Sequence, residues 1–221
     1  ADTLLPGTIE GYRLPQSDGS ARNRKNIRAA DALLTQAGWT VQDGVRRNAK
    51  GSPFEITVTL KQGDTESQSM MDIYQQALER LGITLTTEVL DAAQYKERTQ
   101  IYDFDMAYYR RGLSLSPGNE QMLYWGGYGV DQPGTRNWMG MNSPAAESMI
   151  AKLVSSTSRE DFLAAVEALD RILTKGRYVI PIHTSSFSRL AHVKEIKYPE
   201  RLPMYGDWIG FPPDVWWYEA Q

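Results

Sequence analysis

The sequence predicts an α/β fold, an open and mainly parallel sheet with helices on both faces. Three observations carry this expectation. Apolar and polar residues alternate at Phe54, Ile56, Val58 and Leu60, at Ile83, Leu85 and Val89, and along Phe104 to Tyr109, which is the period of a strand. Between these runs apolar residues recur at three- and four-residue spacing, the period of a helix. The β-α-β-α-β order that results needs the long crossovers that parallel neighbours require.

Residues 1–22 contain Pro6, Gly7, Gly11, Pro15, Asp18 and Gly19 and follow neither period, so an extended connecting segment is expected. Ile27, Ala30, Leu33, Leu34 and Ala37 mark a first helix, with Gly38 in the left-handed position beyond its end. Asp43-Gly44 and Lys50-Gly51 are turn signals ahead of the first long strand. The next helix should run from about Asp64 to Leu81, buried along Met70, Tyr74, Ala77 and Leu78 and closed by Gly82. Asp91 followed by Gln94 resembles a capping box for a short helix through Ile101.

Residues 110–142 lose the periodicity. They are rich in Gly and Pro, with Trp125, Tyr128 and Trp138 interleaved. A loop-rich stretch of this length inside a compact domain is usually functional or disordered, and the aromatic content argues against disorder. Ser143-Pro144 then caps a helix carrying Met149, Ile150 and Leu153. Thr157 or Ser158 opens another, with Phe162, Val166, Leu169, Ile172 and Leu173 on one face and Gly176 as its stop. Short strands are expected at Tyr178 to Ile182 and Phe187 to Val193. The tail from Pro199 gathers Trp208, Phe211, Trp216, Trp217 and Tyr218 among four prolines. It is too apolar for a solvated linker and too interrupted for a long helix. Its aromatic surface is expected to be exposed here or covered by another chain.

Composition excludes several classes of function. Over 221 residues, 24 basic and 27 acidic side chains leave a net charge of −3, so no basic field exists to hold nucleic acid. No run approaches the ~18 apolar residues of a membrane span. Cysteine is absent, which removes disulfides, thiol catalysis and Cys-ligated metals. Two histidines, His183 and His192, cannot build a His-rich metal site. No P-loop, G-x-G-x-x-G or EF-hand spacing occurs, and no cofactor is implied.

Candidates for catalysis are few. His183 lies near Ser185 and Ser186, but no nucleophile elbow accompanies them. The sequence favours a strand-end histidine making a local hydrogen bond. Asp103 and Asp105 share one strand face and could form an acid/base pair, although their alternation with Phe104 and Met106 reads first as a solvated face. Binding is better supported. In an open α/β sheet, ligands sit beyond the carboxyl ends of the strands, and the polar, aromatic loop begins where the third strand ends, at Tyr109. The loop offers Arg110, Arg111, Ser114, Ser116, Asn119, Glu120, Arg136 and Asn137 beside aromatic walls. Such a mixture suits a polar organic solute, and arginine suits a carboxylate. Tyr109, Arg111, Asn119, Glu120, Trp125, Arg136 and Asn137 are therefore the expected ligand-binding residues, from loops 108–120 and 125–138 lining one concave face.

The phrases ADALLTQAGW (30–39), DGVRRNAKGSPFEITV, FDMAYY, SPGNEQMLYW, GTRNWMGMNSPAAESMIAKLV and the ending GRYVIPIHTSSFSRLAHV…YGDWIGFPPDVWWY resemble the family-5 solute-binding proteins of bacterial ABC importers. The likeness is to a peptide-binding branch with a G-S-R-N signature, which reads Gly134-Thr135-Arg136-Asn137 here, and it covers essentially the whole chain. The resemblance implies a periplasmic-binding-protein-like lobe of class II, with residues 1–22 as a crossover segment, 23–198 as a second lobe, and 199–221 as a tail returning to a first lobe. It implies a partner lobe N-terminal to this one, a peptide or peptide-like solute, an ABC permease in the inner membrane, and a periplasmic or extracellular, membrane-associated location. Because the chain starts at Ala1 without a signal peptide, it is expected to be a processed or truncated product. Related peptide binders often hold the peptide's ammonium with an Asp in the loop after the third strand. Leu113 to Asn119 has no acid, and Glu120 is the nearest candidate. Two alternatives stay open: a small α/β hydrolase or glycosidase using Asp103, Asp105 or Glu120, and an interaction domain whose aromatic tail binds another protein.

Overall fold

The computed structural model describes residue 20 and residues 23–111, 117–183, 189–203 and 212–220, and its chain divides into two compact units at Ile180/Pro181. In the first unit, α1 (Arg24–Gln36) is capped by the Asn23 side chain on the Lys25 N–H, and Gly38 beyond its end takes φ +88° as expected. A hairpin of β1 (Thr40–Gln42) and β2 (Val45–Arg47) follows, turning at Asp43-Gly44. The parallel sheet is built from β3 (Glu55–Lys61), α2 (Thr65–Glu79), β4 (Thr84–Leu90), α3 (Ala92–Gln100) and β5 (Met106–Ala107).

The strand order is β4-β3-β5, and every pair is parallel. The step from β3 to β4 and the step from β4 to β5 therefore run in opposite directions across the sheet. Right-handed crossovers then place α2 and α3 on opposite faces. Side-chain alternation agrees. Val58, Leu60 and Leu85 join Met71 and Leu78 of α2 in one core cluster, whereas Thr57, Thr59 and Glu88 line a cleft with Arg98 of α3. Asp64 and Asp91 cap α2 and α3 by accepting backbone N–H bonds from Ser67 and from Ala93 and Gln94.

A second core follows the sheet. The helices α4 (Glu120–Trp125), α5 (Pro144–Ser155) and α6 (Arg159–Gly176) enclose Trp125, Met141, Ile150, Leu153, Val166, Leu169 and Leu173. Ser143 and Ser158 cap α5 and α6 as the sequence indicated, with Pro144 in the first turn. Gly176 does not stop α6 as expected: it is the last helical residue, and Arg177 takes the left-handed turn at φ 54°. The side chain of Tyr178 fills the space beside Gly176, so the glycine serves close packing there instead of termination.

The Arg46 guanidinium, invisible to pattern reading, ties three elements of the first unit together. It is 1% exposed and donates to the Leu81 carbonyl at 2.8 Å, the Trp39 carbonyl at 3.1 Å and Asp31 Oδ1 of α1 at 2.5 Å. Gly82 lies against the same backbone. It has φ +74°, and a Cβ there would stand 2.9 Å from the Arg46 nitrogen, so only glycine fits.

In the second unit, β6 (Ile196–Lys197) pairs antiparallel with β7 (Trp217–Tyr218), and α7 (Pro212–Val215) precedes β7. No strand forms over residues 178–183 or 189–193, contrary to expectation. Val179, Ile180 and Ile182 are 41%, 56% and 47% exposed; β-branched residues there meet no neighbouring strand among the described residues to pair with. His192, Tyr198 and Trp216 pack together, with ring centroids 4.6–5.4 Å apart. Trp217 and Tyr218 are 49% and 66% exposed, so the aromatic surface expected to stand open in the tail does so at these two residues. Trp208 and Phe211 lie outside the described residues, as does the expected extended segment 1–22 apart from Ser20 and the boundary beyond it.

Candidate functional site

β5 delivers Tyr109, Arg110 and Arg111 beyond its carboxyl end, and consecutive residues turn opposite ways. Arg110 folds back to the start of α2, pairing with Glu66 and lying 3.9 Å from Asp64. Arg111 instead lays its guanidinium on the ring of Tyr124 in α4, with its carbon 3.6 Å from the ring centroid, a close cation–π stack. Arg136 approaches the same tyrosine, donating from Nη1 to the Tyr124 hydroxyl at 3.2 Å. The Tyr109 hydroxyl lies close enough to Tyr124 for each to act on the other's proton. Trp138 backs this group, its ring 4.7 Å from Tyr109 and within 6.5 Å of Tyr95 and Phe104.

The motif Gly134-Thr135-Arg136-Asn137 holds Arg136 in place by dividing its residues between inside and outside. Gly134, at φ +83°, donates its N–H to the Gln100 carbonyl at the end of α3 at 2.7 Å. Thr135 Oγ1 hydrogen-bonds the Tyr102 hydroxyl and donates to the Gly129 carbonyl. Arg136 is exposed. Asn137 is 1% exposed, donating to the carbonyls of Gly126 and Met141 and accepting from the Met141 N–H.

Of the seven residues expected from sequence, Tyr109, Arg111 and Arg136 converge on one tyrosine. Glu120 lies near enough for its charge to act on Arg111, but its carboxylate oxygens accept the Gly118 N–H at 2.9 and 3.0 Å. Asn119 is exposed at the start of α4 and makes no capping bond. Two expectations need correction. Trp125 is 3% exposed within the second core and donates from its indole to Gln121; α4 turns it inward because Tyr124 takes the outward face. Asn137 is equally enclosed, its amide committed to backbone groups. Both support the site from beneath. Tyr124 was missed because six helical residues are too few to reveal a period, and Trp138 because loop sequence does not fix side-chain direction. Ser114, Ser116, Ser185 and Ser186 lie outside the described residues.

The charges are unevenly matched. Burial pulls the Arg111 pKa down, against Tyr124, Tyr109 and Glu120, yet a guanidinium remains a cation at neutral pH. Its Nε and Nη2 are enclosed without a hydrogen-bond acceptor among the described residues. Tyr109 is held above the usual phenol range, first by burial and then by Tyr124. Behind it, the Tyr95 hydroxyl donates to the Tyr108 carbonyl at 2.5 Å, and burial, with Tyr109 and Asp64, pushes it up to about 12. The fold favours the neutral phenol. Tyr95 therefore contributes stability fully below pH 10, and that contribution is lost as pH rises through about 12. Urea unfolding should show Tyr95→Phe to be about 1 kcal/mol less stable than the parent at pH 7, with the gap narrowing between pH 10 and 12. A gap independent of pH would mean that the hydroxyl proton plays no part.

The acids of the hydrolase alternative are otherwise engaged. Asp103 pairs with Arg98 at 2.6 Å, and Asp105 accepts the Thr57 N–H at 3.0 Å. Both precede β5 and line a polar cleft of about 410 Å³. Glu120 is far beyond the strand's other end in sequence. His183 is exposed, and the His192 ring lies 2.9 Å from the neighbouring Val193 carbonyl. Among the described residues no group of three or more metal-ligating side chains occurs, and no helix is long and apolar enough to cross a membrane.

Comparison with known proteins gives a consistent result. Residues 1–132 match the family model described as bacterial extracellular solute-binding proteins, family 5 middle. A Brucella melitensis protein, named only as a binding protein, is 36% identical over 220 residues, covering 100% of this chain and 34% of the relative. YejA of Agrobacterium fabrum, named for peptide binding, is 34% identical over 93% of this chain and 33% of its own length. YepA of the same organism, named for peptidoglycan binding, is 32% identical over 97% of this chain and 33% of its own. The chain thus spans about a third of the length of these relatives. Among solved structures, the oligopeptide-binding protein AppA of Bacillus subtilis, in complex with a nonapeptide, superposes with TM-score 0.63 at 18% identity, covering 80% of this chain and 35% of that one. An oligopeptide-binding protein of Thermotoga maritima with bound mannohexaose gives 0.63 at 21% identity, over 70% and 30%. At such identities the likeness is one of fold.

Proposed function

Because the chain belongs to the bacterial extracellular solute-binding proteins of family 5, we propose that it is the second lobe of the periplasmic binding component of an ABC importer, taking up peptides or peptide-like solutes. Residues 23–198 form the lobe in this reading, 1–22 cross into it, and 199–221 return to a first lobe. A solute bridging both lobes stabilises the closed form through its differential affinity for that form, and the closed form delivers its cargo to a membrane permease. The lobe carries no chemistry of its own.

The observation that carries this reading is the cluster of Tyr109, Arg111, Tyr124 and Arg136 at the carboxyl end of β5. It lies where α/β sheets receive ligands, and it joins aromatic faces to hydrogen-bond donors without an activated nucleophile. Asn119 and Glu120 flank it, and Trp125 and Asn137 hold it from beneath. The name of the YejA relative, a peptide-binding protein, supports peptides as the solute.

A single lobe covers one side of a solute, whereas small-ligand sites enclose most of the ligand surface. Calorimetric titration of short peptides should therefore give weak or undetectable binding to these 221 residues alone and clear saturation with the complete gene product. Micromolar or tighter binding to the chain alone would overturn the two-lobe mechanism. Absence of binding by the complete product would overturn the assignment to peptides.

A further inference from the structure

We propose that Arg111 and Arg136 together receive a carboxylate of the solute, so that the site selects acidic over neutral ligands. The proposal rests on the peptide-binding reading above and adds the ligand's chemistry to it. Its basis is the meeting of two arginines at one ring. Arg46, Arg98, Arg110 and Arg171 each lie within ion-pair distance of a carboxylate. Arg111 and Arg136 have no such partner among the described residues, although both converge on Tyr124. Two like charges sharing one ring, one of them part-buried, form a local excess of positive charge that an anion relieves.

Hydrogen bonding points the same way. Among the described residues, Nε and Nη2 of Arg111 are enclosed without an acceptor, and two such donors left unmade are costly. Glu120 does not supply the acceptor: among the described residues no hydrogen bond or ion pair joins it to Arg111, and its oxygens take the Gly118 N–H. A carboxylate offers two acceptor oxygens at the spacing of a guanidinium edge. It would enter beside exposed Arg136, and Arg111 would swing its fork from the Tyr124 face to meet it. The aromatic surface of Tyr109, 47% exposed, would remain for the apolar part of the solute.

The carboxylate can come from an acidic side chain or from a peptide's C-terminus, and one set of probes separates the two. Calorimetry on the complete gene product would use Ala-Glu-Ala, Ala-Gln-Ala and the C-terminal amides of both. A carboxylate-bearing peptide should bind about ten- to a hundred-fold more tightly than its neutral counterpart. Arg111→Gln and Arg136→Gln should each erase that preference while leaving the unfolding midpoint within a few degrees of the parent. Loss on exchanging Glu for Gln assigns the side chain; loss on amidation assigns the C-terminus. Equal affinity for all four peptides, or a preference unchanged in both variants, overturns the carboxylate assignment and leaves the peptide reading standing. If none of the four binds, the peptide reading falls, and acetate decides the remainder. A saturable shift of the Arg111 Nε–Hε NMR signal, absent from exposed Arg28, supports the anion site. A non-saturating shift common to both overturns it.

Discussion

Replacing Asn137 with alanine should destabilise the first unit by about 3 kcal/mol or more, measured as a fall in the urea midpoint at unchanged slope. One amide makes three enclosed hydrogen bonds, to the Gly126 carbonyl, the Met141 carbonyl and the Met141 N–H, at 2.8–3.0 Å. Alanine strands all three backbone groups where water does not reach them, and the cost of an orphaned buried group exceeds the net worth of a made bond. Aspartate is the sharper test. It can still accept from the Met141 N–H, but at neutral pH it sets a carboxylate against two carbonyl oxygens, so Asn137→Asp should be at least as damaging as Asn137→Ala. A loss below about 1 kcal/mol for both, within the range of an ordinary exposed substitution, would show that the 126–141 loops stand without this bracket.

Arg46→Met should cost about 2–4 kcal/mol. Methionine keeps most of the volume, so the loss measures the polar contacts more than a cavity. The Leu81 and Trp39 carbonyls lose their donor, and Asp31, 54% exposed, returns to water with little penalty. Arg46→Lys should recover little, because an ammonium cannot reach three acceptors in fixed directions as a guanidinium fork does. Because Asp31 belongs to α1, which buries no residue fully, the double variant Asp31→Ala with Arg46→Met should be hardly less stable than Arg46→Met alone. Strict additivity of the two losses in chemical denaturation would sever α1 from the role assigned to this contact.

The regular parts of the fold were legible because burial imposes a period on sequence. β3, α2 and β4 appear within a few residues of expectation, since each presents one apolar face to a shared core, and α3 was legible from its Asp91 cap. β5 was expected over six residues and pairs over two, Met106 and Ala107, because a strand's length depends on where its neighbour ends as well as on its own residues. The segment from Tyr178 to Ile182 carries strand-forming residues without a strand, for want of a partner among the described residues. Of the site, residue types were readable and directions were not. Tyr109, Arg111 and Arg136 were identified as donors and aromatic walls, but a loop has no period to say that Asn137 turns inward while Arg136 turns out. Nor does the sequence distinguish Arg110, tied back to Glu66, from its neighbour Arg111.

The short pairing of β5 has a consequence for motion. The strand that presents Tyr109 and Arg111 is in register with β3 at Val58↔Met106 and Thr59↔Ala107, with the Asp105 carboxylate accepting the Thr57 N–H beside them, whereas β3 and β4 are in register along seven residues. Opening free energies within one domain differ with the number of interactions that must break together. The edge that bears the cluster can thus detach in small excursions while the β3–β4 ladder holds, giving amide protons at 106–107 a faster route to deuterium than those at 58 and 60, which face β4. The Tyr109–Arg111 cluster is mounted on the shortest pairing of the sheet, so as the proposed receiving surface it can adjust to a solute without the core giving way.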